Sequence, residues 1–410
     1  MIETQGVSIR MGANRLDSMV FAGGLVFDGS GSAPFRADVR VEAGRIVEVG
    51  TNLEDGERVD TTGRIILPGF IDCHSHVAFS DMPRLEESAS RTQTYDAFRA
   101  LAGLRSTLGA GVTTVRDAAG ADVGFKRAIE EGLVDGPRLL TSLMQLSPSA
   151  GPYDARTVSG LDTWIDRPGI PRPVADGPHG VRAKVREFVQ AGADVIKIFA
   201  TGNLAMRRDG ARRQLFSDEE LGAIVAEATA QGVRVMAHAH GASGAAAAAV
   251  AGVASIEHGF FLDGAALDAM VEHGTVFVPT LLAAAASLEG AASEEEAHRM
   301  SRMVDDHRSA VREAHRRGVP IAMGTDSPVA AHGRNLEELW LLTECGLTAT
   351  EALVAGTSTA ARLLGMEQEI GTIEPGKRAD LVVVAGDPLD VATLGRRIES
   401  VYRDGRRVHG

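Results

Sequence analysis

The stretch GFIDCHSHVAF places His74 and His76 two positions apart at the end of an apolar, β-forming run. Alternate side chains of a strand share a face, so both imidazoles can reach one ion. A solvated strand-end pair is the other reading of these two residues taken alone. Of the twelve histidines in the chain, His238, His240 and His258 also close apolar runs, VRVMAHAH and VASIEHG. The remaining seven, His179, His273, His298, His307, His315, His332 and His409, fall in expected helices, loops or the tail, where a surface position is expected. Asp326 closes a further run, PIAMGTDSP, and either caps the next helix or joins the histidines.

Lys197 is the one charged side chain in the run VIKIF of GADVIKIFATGN, which otherwise reads as a buried strand. A buried ammonium without a partner loses several kcal/mol of hydration, so it must be paired, neutralised or converted. One reading is an ion pair with a strand-end carboxylate such as Asp117 or Asp194. In the other, the amine loses its proton in a low-dielectric interior and takes up carbon dioxide, forming a carbamate whose two oxygens bridge two metal ions.

These residues need a scaffold that brings strand ends together. GVTTVRD, PRLLTSL, DVIKIFA, VRVMAHAH, VASIEHG, TVFVPT and PIAMGTDSP are each followed by helical stretches, which predicts βαβ units and a parallel sheet. With the strand ending in GFIDCHSH there are eight, the number in a (β/α)8 TIM barrel, whose active site lies at the carboxyl ends of its strands. A doubly wound sheet is the alternative, although no G-x-G-x-x-G opens a helix after a strand. Ser217 and Thr348 begin S/T-x-x-E capping boxes and so mark helix starts. The Pro- and Gly-rich stretch 146–180 reads as a long loop over the barrel mouth, without a clear helix. Short β-like pieces at both ends of the chain predict a small β-sandwich domain from residues 19–67 and 368–410, around a barrel of 68–367 and after a flexible tail of 1–18.

With 410 residues, 44% of them hydrophobic, the chain is long enough for a large enzyme domain plus a smaller one. A net charge of -13 and a single short basic cluster, RRDGARR, argue against nucleic acid. No apolar run near the amino end is long enough to span a bilayer, and no basic-then-apolar leader is seen, so no membrane and a cytoplasmic location are expected. Only Cys73 and Cys345 are present, which excludes a Cys-rich zinc module.

In their order along the chain, PGFIDCHSH, VIKIFATG, AHAHG, SIEHG, GTDSP and IEPGKRADLVVV resemble the amidohydrolase superfamily, and the match covers nearly all of the chain from about residue 20. More narrowly the chain resembles the imidazolonepropionase-like and Xaa-Pro dipeptidase (prolidase-related) group. The resemblance implies two divalent metal ions, with His74, His76 and Asp326 on one, His238 and His258 on the other, and Lys197 bridging as N6-carboxylysine. His240 is then a substrate-contacting residue or a support to its neighbours, with an exchange of ligand role with His238 as the alternative. Zinc suits imidazole and carboxylate donors, and manganese or cobalt would fit the same set. The chain departs from the group after the third strand, where SPSAGPYD replaces a Gly-Gly-His-Gly-type stretch. It departs again after the lysine strand, where ATGNLAMRRDGARR replaces a Gly-Gly pair. Both departures bear on the substrate.

The chemistry so implied is hydrolysis of an amide (C–N) bond in a small molecule by a metal-bound hydroxide, with Asp326 moving the proton. Xaa-Pro dipeptidase, carboxypeptidase and N-acyl-amino-acid hydrolase activities fit. The alternatives are a carbamate, urea, lactone or phosphotriester substrate on the same core, a mononuclear deaminase, and a non-catalytic scaffold. Tyr153 and His179 in the long loop either contact substrate or are solvated loop residues. Arg207, Arg208, Arg212 and Arg213 either fork onto a substrate carboxylate or form a solvated cluster. A homo-oligomer is the expected assembly.

Overall fold

The computed structural model describes residues 18–81, 87, 90–204, 206 and 210–410. Its middle alternates parallel strands with helices. Phe70–Ser75, Val112–Asp117 and Arg138–Thr141 form one parallel sheet. Gln145–Leu146, Val195–Phe199, Arg234–Gly241, Ser255–Phe261 and Val276–Val278 form a second. Every residue of Phe70–Ser75, Val112–Asp117 and Val195–Phe199 is buried, the pattern of parallel strands covered on both faces. Seven of the eight expected strands form. The third of them, PRLLTSL, ends early because Leu143 turns to φ +64°, and the chain resumes as Gln145–Leu146 against the lysine strand.

The eighth, PIAMGTDSP, forms only isolated bridges, Ile321 to Phe277 and Ser327 to Ser75. It still lies between the two sheets: Ala322 N–H donates to Phe277 O, and Cys73 N–H donates to Met323 O. Its ladder breaks because Asp326 sits at φ +57° and its N–H, like that of Thr325, turns to His74 O. Gly324 permits the close approach, since a Cβ there would meet Val278 Cγ1 at 2.4 Å and His74 Cβ at 2.9 Å. Gly324→Ala is therefore expected to cost about 1–3 kcal/mol, the usual range for overpacking. A lower denaturant midpoint would show it, and an unchanged one would mean that neither neighbour is pinned.

Ser217 and Thr348 make the capping boxes that their sequences predict. The helix Gly177–Gln190 begins inside the stretch read as loop, with Pro178 in its first turn, where the missing N–H costs nothing. Strands from both chain ends share one six-stranded sheet, in which Arg64–Pro68 lies between Leu25–Val26 and Leu381–Ala385. A four-stranded sheet, built around Met19–Ala22 and Asp38–Glu42, shares an apolar cluster with it. Phe21 and Val39 of the one pack with Ile66, Leu381 and Tyr402 of the other. Residues 1–17, nearly all of the expected tail, lie outside the described residues, and Ser18 O accepts Glu57 N–H. Arg138 ties the middle to the end sheet, donating to Asp380 at 2.6 Å and Asp404 at 2.9 Å. Among the described residues no helix is long and apolar enough to cross a membrane.

Candidate metal centre

His74 comes from the end of Phe70–Ser75, His76 follows it, and Asp326 comes from the bridging eighth segment. One ligand atom of each lies within 4.8 Å of the others. Asp326 Oδ1 is 3.0 Å from His76 Nε2 and 3.4 Å from His74 Nε2. Burial opposes ionisation of Asp326, yet the two imidazoles at its Oδ1 hold its carboxyl well below the usual range. On the far side of each ring, His76 Nδ1 donates to Ala119 O at 3.0 Å, and His74 Nδ1 meets Glu257 Oε2 at 2.6 Å. An acceptor on Nδ1 favours the tautomer protonated there, in which Nε2 offers its lone pair to a metal. The capping reading of Asp326 is not met, because its carboxylate faces the histidines.

The second group follows in ring contacts. His258 lies 4.7 Å from His74 and 4.6 Å from His238, centroid to centroid, and His238 lies 4.5 Å from His240. His258 Nδ1 is 2.8 Å from Thr280 Oγ1. Burial first, then the neighbouring histidine charges, pushes His238 and His258 well below the ordinary imidazole range, so both are neutral, the form that binds metal. His258, Thr280 and Asp326 sit at φ +71°, +56° and +57°. Left-handed backbone at the β-branched Thr280 is strained, and such strain gathers at functional sites.

Lys197 is fully buried, and its Nζ has no hydrogen-bond partner among the described residues. Neither expected carboxylate pairs with it. Asp117 accepts the N–H groups of Val77 and Ala121, and Asp194 takes Lys126 Nζ at 2.6 Å. Burial lowers the Lys197 amine to about 8, against the pull of Glu257 and Asp326. An unpartnered, readily neutralised amine beside converging imidazoles and a carboxylate is a donor set that fits divalent ions, provided the lysine is converted to a ligand.

The structure thus gathers His74, His76, His238, His240, His258 and Asp326, with Lys197 close enough to act on their charges. His240 is buried, its Nδ1 has no hydrogen-bond partner among the described residues, and its ring lies 5.3 Å from His258. Tyr153 packs on Phe199, which packs on His238. It lines a cavity of about 650 Å³ with Phe79, Met144, Trp164 and Arg167. Phe79 in turn touches His76, so the cavity borders the cluster. Arg207 and Arg208 lie outside the described residues. Arg212 is exposed and stacks on Phe261 at 3.7 Å, and His179 is exposed in the first turn of Gly177–Gln190.

Several supporting residues were not singled out from sequence. Asp72 accepts Asn335 Nδ2, Thr325 Oγ1 and the N–H groups of Thr325 and His74, and so binds the eighth segment to the first strand. Glu257 holds His74, and Arg116 holds Glu257 at 3.0 Å. The signal that marks Lys197 also marks these three, an ionisable side chain in an apolar strand. His307, expected at the surface, is fully buried and stacks on Phe260 at 4.1 Å, because its helix Glu294–Arg316 packs this face inward.

Residues 65–408 match the model of the amidohydrolase family. The chain belongs to that family, and it is an enzyme, a hydrolase. It is 31% identical to ochratoxinase of Aspergillus niger over 96% of its length and 87% of the relative's. It is similar to the solved structure of a Xaa-Pro dipeptidase with bound methionine in the active site: TM-score 0.88, 30% identity, 96% of this chain and 100% of that one covered. It also resembles a prolidase solved with N-methylphosphonate-L-proline: TM-score 0.86, 35% identity, 95% and 99% covered.

Proposed function

We propose that this enzyme hydrolyses an amide (C–N) bond at a centre of two divalent ions, zinc first among them, and that its substrates are Xaa-Pro or related dipeptides, or N-acyl amino acids. The observation that carries this reading is the buried amine of Lys197, without a hydrogen-bond partner among the described residues, beside His74, His76, His238, His258 and Asp326. In the neutral form, that amine adds to carbon dioxide: an N–C bond forms, a proton leaves, and an anion with two donor oxygens results. His74, His76 and Asp326 would hold one ion, His238 and His258 the other, and Lys197 would bridge as N6-carboxylysine. Such ions, when bound, acidify a water and polarise the substrate carbonyl.

Asp326 is the proton carrier. Its Oδ1 is engaged by the two imidazoles, while Oδ2 has no hydrogen bond among the described residues and the side chain is 19% exposed. Oδ2 can therefore take the proton of the attacking water and return it to the leaving nitrogen. His240 and Tyr153 contact substrate from the cavity side. The similarity to dipeptidase and prolidase structures and a cavity of about 650 Å³ support a dipeptide-sized substrate. The same reading places residues 68–367 in a closed (β/α)8 barrel, with 19–67 and 368–410 as a β-sandwich domain. It also makes the enzyme a cytoplasmic homo-oligomer, which light scattering would test.

The test is amino-acid release from Xaa-Pro dipeptides, other dipeptides and N-acyl amino acids, using protein whose metal content has been counted. Release that a chelator abolishes is the expected result. Silence from protein holding two ions per chain would overturn the amide reading and move the search to carbamates, ureas, lactones and phosphotriesters.

A further inference from the structure

Behind His74 lies a buried ionic network that the mechanism above does not use. Glu257 is fully buried, with Oε2 at 2.6 Å from His74 Nδ1 and Oε1 at 3.0 Å from Arg116 Nη2. Ser255 Oγ also donates to Oε1. Arg116, 2% exposed, sends Nε to Cys73 O at 2.6 Å and Nη1 to Ser255 Oγ at 3.1 Å. One guanidinium therefore grips both the backbone just before His74 and the carboxylate on its ring. The three residues come from three strands, Phe70–Ser75, Val112–Asp117 and Ser255–Phe261, and the third of these lies in a different sheet from the other two. A buried ion pair by itself is weak evidence for stability, since an apolar pair of similar volume often serves as well. This one spends one of its two carboxylate oxygens on an imidazole whose other nitrogen faces Asp326.

We propose that the Arg116–Glu257 pair is the positioning device for His74, holding the proton on Nδ1 and the Nε2 lone pair towards the centre, so that metal affinity depends on it. This rests on the reading of His74, His76 and Asp326 as metal ligands. Each Glu257 oxygen accepts from a different donor, so an amide cannot replace it. With its oxygen towards Arg116 and Ser255, the Gln NH2 group of a Glu257→Gln variant would face His74 Nδ1. The ring must then accept there and carry its proton on Nε2, the form that cannot bind metal.

The experiment compares the full-length holoenzyme and Glu257→Gln by competition for Zn²⁺ against a chelator of known affinity. Nitrogen-15 spectra of the imidazoles accompany it. A drop of about 10–100-fold in affinity, the range for losing a ligand's hydrogen-bond partner, together with a His74 tautomer moved to Nε2–H, is the expected result. Unchanged affinity in the variant, with two ions bound to the unsubstituted enzyme, overturns the proposal and leaves the metal reading intact. Failure of the unsubstituted enzyme to bind any ion would instead overturn the metal reading. If Glu257→Gln does not fold, the unsubstituted protein still decides: a His74 resonance of the Nδ1–H form supports the assignment, and the Nε2–H form refutes it.

Discussion

Lys197→Met is expected to abolish turnover, by at least about 10³-fold or ~4 kcal/mol of transition-state stabilisation, while leaving the protein as stable as before or more so. The two halves of that expectation come from one observation. Lys197 Nζ is fully buried with no hydrogen-bond partner among the described residues. As a structural residue it is a liability, and methionine fills the same space without an unsatisfied amine. As the proposed bridge between the two ions it has no substitute, because neither a thioether nor an alanine methyl supplies two anionic oxygens. Lys197→Ala should likewise hold fewer ions per chain and lose activity, with a cavity as an added cost. Metal counting, turnover and a melting curve on the same samples read all three quantities. Full activity with two ions in either variant would end the bridging-carbamate idea. A large loss of stability in Lys197→Met would show that the amine has a partner in solution.

The second large effect is expected at Asp326. Asn keeps an oxygen where Oδ1 meets His74 Nε2 and His76 Nε2, so Asp326→Asn should retain more of its metal than of its rate. What it loses is the anion. Burial opposes ionisation of Asp326, but the His74 and His76 imidazoles at its Oδ1 hold its carboxyl well below the usual range, so it stands deprotonated at neutral pH, the form a proton acceptor requires. Removing a general acid–base group typically costs about 10²–10⁴ in rate, and a kcat reduced by that factor with metal content near that of the unsubstituted enzyme is the expected result. Equal proportional losses of metal and rate would make Asp326 a ligand only, and the proton carrier would have to be sought elsewhere, with His240 next.

The chemistry-bearing residues stand out in the chain because their types conflict with their surroundings. Imidazoles closing apolar runs at His74, His76, His238, His240 and His258, and a lone amine inside VIKIF, are anomalies that local pattern exposes without any fold. The alternation of strand and helix is equally local, and seven of the eight expected strands form where they were expected. Helix starts at Ser217 and Thr348 follow from a four-residue pattern and needed nothing more.

Pairing across the interior is another matter. That Lys197 meets neither Asp117 nor Asp194 follows from where Lys126 and the N–H groups of Val77 and Ala121 arrive. That Glu257 serves His74, 183 positions away, depends on which strands face one another. His307 is buried because one long helix turns that side to Phe260. The eighth strand gives way to isolated bridges because Asp326 must leave β geometry to reach His74 and His76. Side-chain type and short-range periodicity act within a few residues, so the chain alone reveals them. Partner choice is settled by distances between segments hundreds of residues apart, and only the folded packing sets those distances.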